Sequence, residues 1–217
     1  MNAMHTLELN HVSKHIRRKE ILRDVSCRME SGKITGFRGE NGSGKTMIFR
    51  TIAGLIYPDS GEILYDGKKL WKETEPVMGI TIENAALFPE LTGKENLLSL
   101  VSIRKRTSEK EVTEAIRRVG LDPDDHRFFR EYSLGMKQRL LIAQAIMEDP
   151  DILALDEPTN GLDPDGRELV IGIIRDMAKK GKIVLLSTHI KEDMDQICDR
   201  IYLVADHTVT EENRKKQ

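Results

Sequence analysis

Gly39-Glu40-Asn41-Gly42-Ser43-Gly44-Lys45-Thr46 lies between a short apolar run, Ile34–Phe37, and a segment with helical spacing, Met47–Leu55. A glycine, four residues and then Gly-Lys-Thr, placed between a strand and a helix, is the pattern of a phosphate-binding loop. Glycines let the backbone curl until successive N–H groups converge on one anion, and the helix that follows aims its positive end at the same point. Lys45 adds a cation for the outer phosphates and Thr46 a hydroxyl for Mg²⁺. Gly39 through Thr46 are therefore the candidate nucleotide-binding residues.

A second segment, Ile152-Leu153-Ala154-Leu155-Asp156-Glu157, is an apolar run that ends in two carboxylates. With Ile183–Ser187 as another such run and Arg167–Lys180 as a helix between them, it forms a βαβ unit and implies a parallel sheet. At the carboxyl end of a parallel strand Asp156 faces a nucleotide site and can hold Mg²⁺, directly or through water. Glu157, one residue on, is placed to orient or deprotonate an attacking water.

The rest of the chain is read around these two segments. Leu7–Val12 and Ile21–Met29 are β-like and form an N-terminal antiparallel region; Pro58-Asp59-Ser60-Gly61 and Asp66-Gly67 punctuate a hairpin around Glu62–Tyr65. From about Glu90 to Met147 the texture becomes helical, with helices expected over Lys94–Ile103, Glu109–Val119 and Lys137–Met147. Asp206–Gln217 is polar and reads as a loosely ordered tail.

Composition narrows the function. The 217 residues carry 34 Lys plus Arg against 36 Asp plus Glu, a formal charge of -2, so no global basic field is available to hold nucleic acid. Uncharged stretches reach no more than eight residues, as in Leu140–Met147 and Ile183–Ile190, against the roughly 18–20 that span a bilayer. No charged-then-apolar leader opens the sequence, which points to a reducing compartment, with Cys27 and Cys198 as thiols.

A third segment decides the family. Tyr132-Ser133-Leu134-Gly135-Met136-Lys137-Gln138-Arg139 precedes the Asp156 strand; Pro158-Thr159-Asn160-Gly161-Leu162-Asp163 follows it, and Ser187-Thr188-His189 ends the next strand. This order and spacing resembles ABC ATPases, the nucleotide-binding subunits of ATP-binding-cassette transporters, over roughly Leu7 to Ala205. The resemblance implies an α/β fold of the P-loop NTPase, ABC-ATPase type: a mainly parallel core sheet with the N-terminal antiparallel β region and a helical insert. As a single domain over residues 1–217, it would have its core at about 4–83 and 149–205, a helical subdomain at about 84–148 and a polar tail at 206–217.

Residue by residue, the resemblance implies that Lys45, Glu157 and His189 are catalytic, with His189 as the switch histidine that reaches the γ-phosphate. Ser133, Leu134, Gly135 and Met136 lie in the signature that meets ATP held by a partner subunit, Asp163 in the D-loop, and Thr46, Asp156 and Glu83 at Mg²⁺. ATP and Mg²⁺ are the implied cofactors. Four positions depart from the family's pattern. Leu134 replaces a glycine and Met136 a glutamine in the signature, Glu83 replaces the Q-loop glutamine, and Ile16 aligns with the aromatic residue that stacks on adenine. Adenine would then meet Ile16, or His15 beside it. Arg38 stands where an apolar residue commonly precedes the loop.

Glu83, the Leu91–Leu97 segment and Tyr132–Arg139 together are similar to the bacitracin and lantibiotic export and immunity branch. The implied function is ATP binding that closes a dimer and ATP hydrolysis that releases it, coupled to export of a drug or peptide. The implied partners are a separate multi-span membrane subunit and a second ATPase subunit, in a head-to-tail homodimer or a dimer with a related chain, at the cytoplasmic face of the membrane and without nucleic acid. The alternative is a non-transport ABC ATPase acting in DNA maintenance or on ribosomes. The short stretch between Lys45 and Asp156 leaves no room for the long coiled coils of chromosome-organising members.

Overall fold

The computed structural model describes residues 4–82, 87–104 and 106–212, the side chains of Arg104 and Asp193 apart. Two sheets organise them. β1 (Thr6–Ile16) and β2 (Lys19–Glu30) form a long antiparallel hairpin, extended on the β1 side by β4 (Ser60–Tyr65) and the two-residue β5 (Lys68–Lys69), in the order β2-β1-β4-β5. The second sheet has six strands. β3 (Ile34–Arg38), β6 (Met78–Thr81), β7 (Ile152–Asp156), β8 (Ile183–Ser187), β9 (Arg200–Ala205) and β10 (Thr208–Glu211) lie in the order β10-β9-β3-β8-β7-β6. All its pairings are parallel except β9 with β10.

The apolar runs of β7 and β8 are explained by burial on both faces. Alternate residues leave a strand on opposite sides. Ile152 and Ala154, with Ile183 and Leu185, pack into a core shared with Phe37, Phe49 and the antiparallel sheet. Leu153 and Leu155, with Val184 and Leu186, pack into a second core with the helices α2 (Gly93–Arg104), α3 (Glu109–Arg118), α4 (Leu134–Ile146) and α5 (Pro164–Lys179). Each fully buried Leu or Ile contributes about 2 kcal/mol, so these two strands tie the two cores together. Gly79 on β6 is a packing requirement: an added Cβ would lie 1.8 Å from the Ala145 carbonyl oxygen.

α2, α3 and α4 fall between β6 and β7 in the chain, where helical periods were expected. Two short helices complete the fold: α1 (Lys45–Ile52) directly after the glycine loop, and α6 (Lys191–Ile197) after β8. Cys27 and Cys198 are buried without a disulfide, and burial pushes the Cys27 thiol up to about 12.

One expectation is corrected. The segment after Ala205 is not a loose tail as far as Glu212: Thr208–Glu211 pairs antiparallel with Tyr202–Ala205. Thr208-Val209-Thr210 has the β-branched composition of a strand, and Val209 packs on the core below. Glu212, directly after this strand, accounts for Arg38, whose guanidinium Nη2 reaches Glu212 Oε1 at 2.7 Å.

Candidate functional site

The phosphate loop follows β3, at the centre of the parallel sheet, and feeds α1. Gly42 and Gly44 have φ of 82° and 115°, left-handed values that favour glycine. α1 begins at Lys45, so the loop presents that helix's unpaired N–H groups to whatever the loop encloses. Lys45 is buried, and its ammonium curls back to the carbonyl oxygens of Gly39 at 2.7 Å and Glu40 at 2.9 Å. The Ser43 hydroxyl oxygen is buried without a hydrogen-bond partner among the described residues. A buried orphan donor in the same loop as this ammonium suits an anion supplied from outside the chain.

β7 brings the two carboxylates to this loop. The Thr46 hydroxyl donates to Asp156 Oδ2 at 2.7 Å, and the Ser187 hydroxyl donates to Asp156 Oδ1, so both carboxylate oxygens are held. Glu157 has a φ of 48°, a sparsely populated conformation for a residue with a side chain. Its N–H donates to the Ser187 carbonyl at 3.1 Å, which anchors the turn to β8. The carboxylate then meets His189 Nδ1 at 3.0 Å. A cavity of about 500 Å³ is lined by Lys45, Thr46, Asp156, Glu157, Asn160 and His189 among others. Loop and carboxylates, far apart in the chain, thus share one space.

The remaining predicted residues are placed as follows. Ser133, Leu134, Gly135 and Met136 do not line this cavity. Ser133 caps α4, accepting from the Met136 amide at 3.2 Å, and Leu134 is 67% exposed. Asp163 caps α5, accepting from the Gly166 amide at 3.0 Å, with Pro164 at the first helical position. Gln138 Nε2 donates to the Glu157 carbonyl at 3.2 Å and so ties α4 to the carboxylate turn. Ile16 sits opposite Lys19 at the tip of the β1–β2 hairpin and does not line the cavity, whereas Lys19 and Ile21 do. The His15 backbone N–H donates to Asp59 at 2.7 Å. Glu83 lies outside the described residues.

Sequence reasoning missed Ser187 and several residues of the cavity wall. Ser187 holds Asp156, and its signal was a hydroxyl residue ending an apolar strand whose register places it beside the Asp156 strand end. Ile21 and His207 line the cavity with no motif to mark them.

A glycine loop opening on a helix, with a carboxylate pair from another parallel strand of the same sheet, defines a phosphate-loop nucleotide-binding ATPase. Known proteins refine this class. The family described as "ABC transporter" matches residues 22–160. The chain is 40% identical over 211 residues to the uncharacterized ABC transporter ATP-binding protein YybJ of Bacillus subtilis (strain 168), with 96% of each chain covered. It is 36% identical over 195 residues to the bacitracin transport ATP-binding protein BcrA of Bacillus licheniformis, covering 87% of this chain and 63% of that one. The solved dimeric structure of MJ0796, a bacterial ABC transporter cassette, superposes with a TM-score of 0.86 at 24% identity, over 97% of this chain and all of that one, a likeness of fold. The chain belongs to the ABC transporter family, as an ATP-binding subunit.

Proposed function

We propose that this chain hydrolyses ATP at a site completed by a second ATPase subunit, and that closure of the pair on ATP binding and its opening after hydrolysis drive export of a drug or peptide through a separate multi-span membrane subunit. The observation that carries the reading is the meeting of Lys45, Thr46 and Asp156 with the Glu157–His189 pair on one cavity. Phosphate-binding groups and a carboxylate positioned for water are then within one nucleotide's reach.

Thr46 and Asp156 fit Mg²⁺, which takes one or two protein oxygens and completes its shell with waters and phosphate oxygens. Bound there, Mg²⁺ would neutralise charge on the β- and γ-phosphate oxygens. Lys45 and the loop amides act on the same charge. Glu157 takes a proton from the attacking water as its oxygen bonds to the γ-phosphorus and the bond to the bridging oxygen breaks, leaving ADP and phosphate. His189 holds the Glu157 carboxylate in line and extends toward the γ-phosphoryl group.

The signature supports the two-subunit form. Ser133 and Gly135 stand at the start of α4, suited to a phosphate, yet on a surface apart from this chain's own cavity. A second copy, or a related chain, placed head to tail would bring its signature to this ATP and take this signature to its own.

Among the described residues no helix is long and apolar enough to cross a membrane. In this reading the transmembrane path belongs to the partner, and the chain sits on the cytoplasmic face. An apolar groove lined by Leu55, Trp71, Leu100, Ile103 and Met147 suits a short segment of that partner; Leu55 is 65% and Ile103 76% exposed. Export as the direction is supported by the Leu91–Leu97 and Tyr132–Arg139 segments and by the likeness to bacitracin and lantibiotic transport proteins. Affinity capture of the tagged chain from detergent-solubilised native membranes is expected to recover a multi-span membrane protein. Recovery only from the soluble fraction, with DNA or ribosomes, would instead support the non-transport alternative.

A further inference from the structure

The hairpin between β9 and β10 turns on Asp206 and His207 alone, with Ala205 paired to Thr208. Both turn residues have positive φ, 48° and 66°, as a type I′ turn requires, and its second position is one that glycine fills without strain. Here it carries a histidine. The surroundings hold it in place: the His207 carbonyl accepts from the Arg23 N–H at 2.8 Å, and the Thr208 hydroxyl donates to the Ala205 carbonyl at 2.8 Å. The residue lines the nucleotide cavity, and its Nδ1 is buried without a hydrogen-bond partner among the described residues. An unpaired buried ring nitrogen is costly unless a group from outside the chain meets it.

Strand order tells which part of a nucleotide would do so. β3, which launches the phosphate loop, lies between β8 and β9. The β8 flank carries Asp156, Glu157 and His189, the γ-phosphate end. The β9 flank carries His207, joined through Arg23 to β2, whose Lys19 and Ile21 line the same cavity. A nucleotide with its terminal phosphate at Glu157 therefore extends its nucleoside toward the His207 flank. Ile16, the position aligned with an adenine-stacking aromatic, does not line the cavity.

Resting on the ATP-binding reading above, we infer that His207 is a nucleotide-binding residue that meets the purine nucleoside of ATP, with Lys19 and Ile21 completing that wall. The imidazole supplies a flat face for the base and, at Nδ1, a hydrogen-bonding group for the base or ribose.

The test is His207→Gly, which removes the ring at a backbone conformation that glycine adopts freely, so the fold is not put at risk. Equilibrium titrations with ATP and with inorganic tripolyphosphate, both with Mg²⁺, separate the nucleoside from the phosphates. The variant is expected to bind ATP about tenfold more weakly, the equivalent of one good polar or stacking contact, with tripolyphosphate affinity unchanged and no loss of thermal stability. Unchanged ATP affinity overturns the inference, and so does an equal loss for both ligands. If the unaltered protein bound no ATP, the ATP-binding reading itself would fall, and the two failures are distinguished by that control.

Discussion

Glu157→Gln is expected to bind ATP, to hold two copies together while ATP is present, and to hydrolyse it at least about a hundredfold more slowly than the unaltered protein, the usual range for loss of a general base. The amide has the shape of the carboxylate and cannot take a proton from water. Nothing that grips the phosphates is touched: Lys45, Thr46, Asp156 and Ser187 make their contacts without the Glu157 side chain. The Glu157 backbone is fixed separately, by its N–H to the Ser187 carbonyl and by the Gln138 bond to its own carbonyl, so the substituted side chain still enters the cavity. Phosphate release measures the chemical step, and light scattering with and without ATP measures the pairing. A Gln variant as fast as the unaltered protein would show that another group handles the water.

Lys45→Ala is expected to lose ATP binding by roughly a hundredfold or more, since removing a buried charge that faces a phosphate typically costs a few kcal/mol. The ammonium is buried and held by two loop carbonyls, so the free protein already has it near its working place and little ordering is needed on binding. Its loss from the free protein costs two charge-assisted hydrogen bonds, about 1.5–3 kcal/mol each. Equilibrium titration reads the affinity, and a thermal melt of the free variant shows whether the fold survives. A well-folded variant with unchanged ATP affinity would remove Lys45 from the site.

What the chain discloses before folding follows from how local each signal is. The glycine loop is a contiguous backbone device, and its need for left-handed residues is written as Gly42 and Gly44. β7 and β8 are buried on both faces, so their apolar runs are unbroken and mark a parallel sheet. β10 is less legible because it is short, set among charged residues, and turned on Asp206-His207, where Asn-Gly or Asp-Gly would have announced a hairpin. Ser187 and Ile21 reach the cavity through register and sheet order, which no local pattern carries. Ile16 stands at a motif position on β1, while the residues that line the cavity on that side, Lys19 and Ile21, come from the strand paired with it. Ser133 and Asp163 cap α4 and α5, so the motif residues that the proposed reading assigns to a neighbouring subunit also have a local structural use.

The shared site is tested most directly by mixing two variants. Lys45→Ala has a disabled phosphate loop and an intact signature; Ser133→Arg has an intact loop and a signature blocked by a bulky cation. Each alone should hydrolyse ATP at background rates, and a mixed pair contains one site built from the intact loop of one chain and the intact signature of the other. ATPase activity that appears on mixing the two inactive proteins is the expected result. Full activity of Ser133→Arg by itself, or no activity in the mixture, would contradict a site built across two subunits.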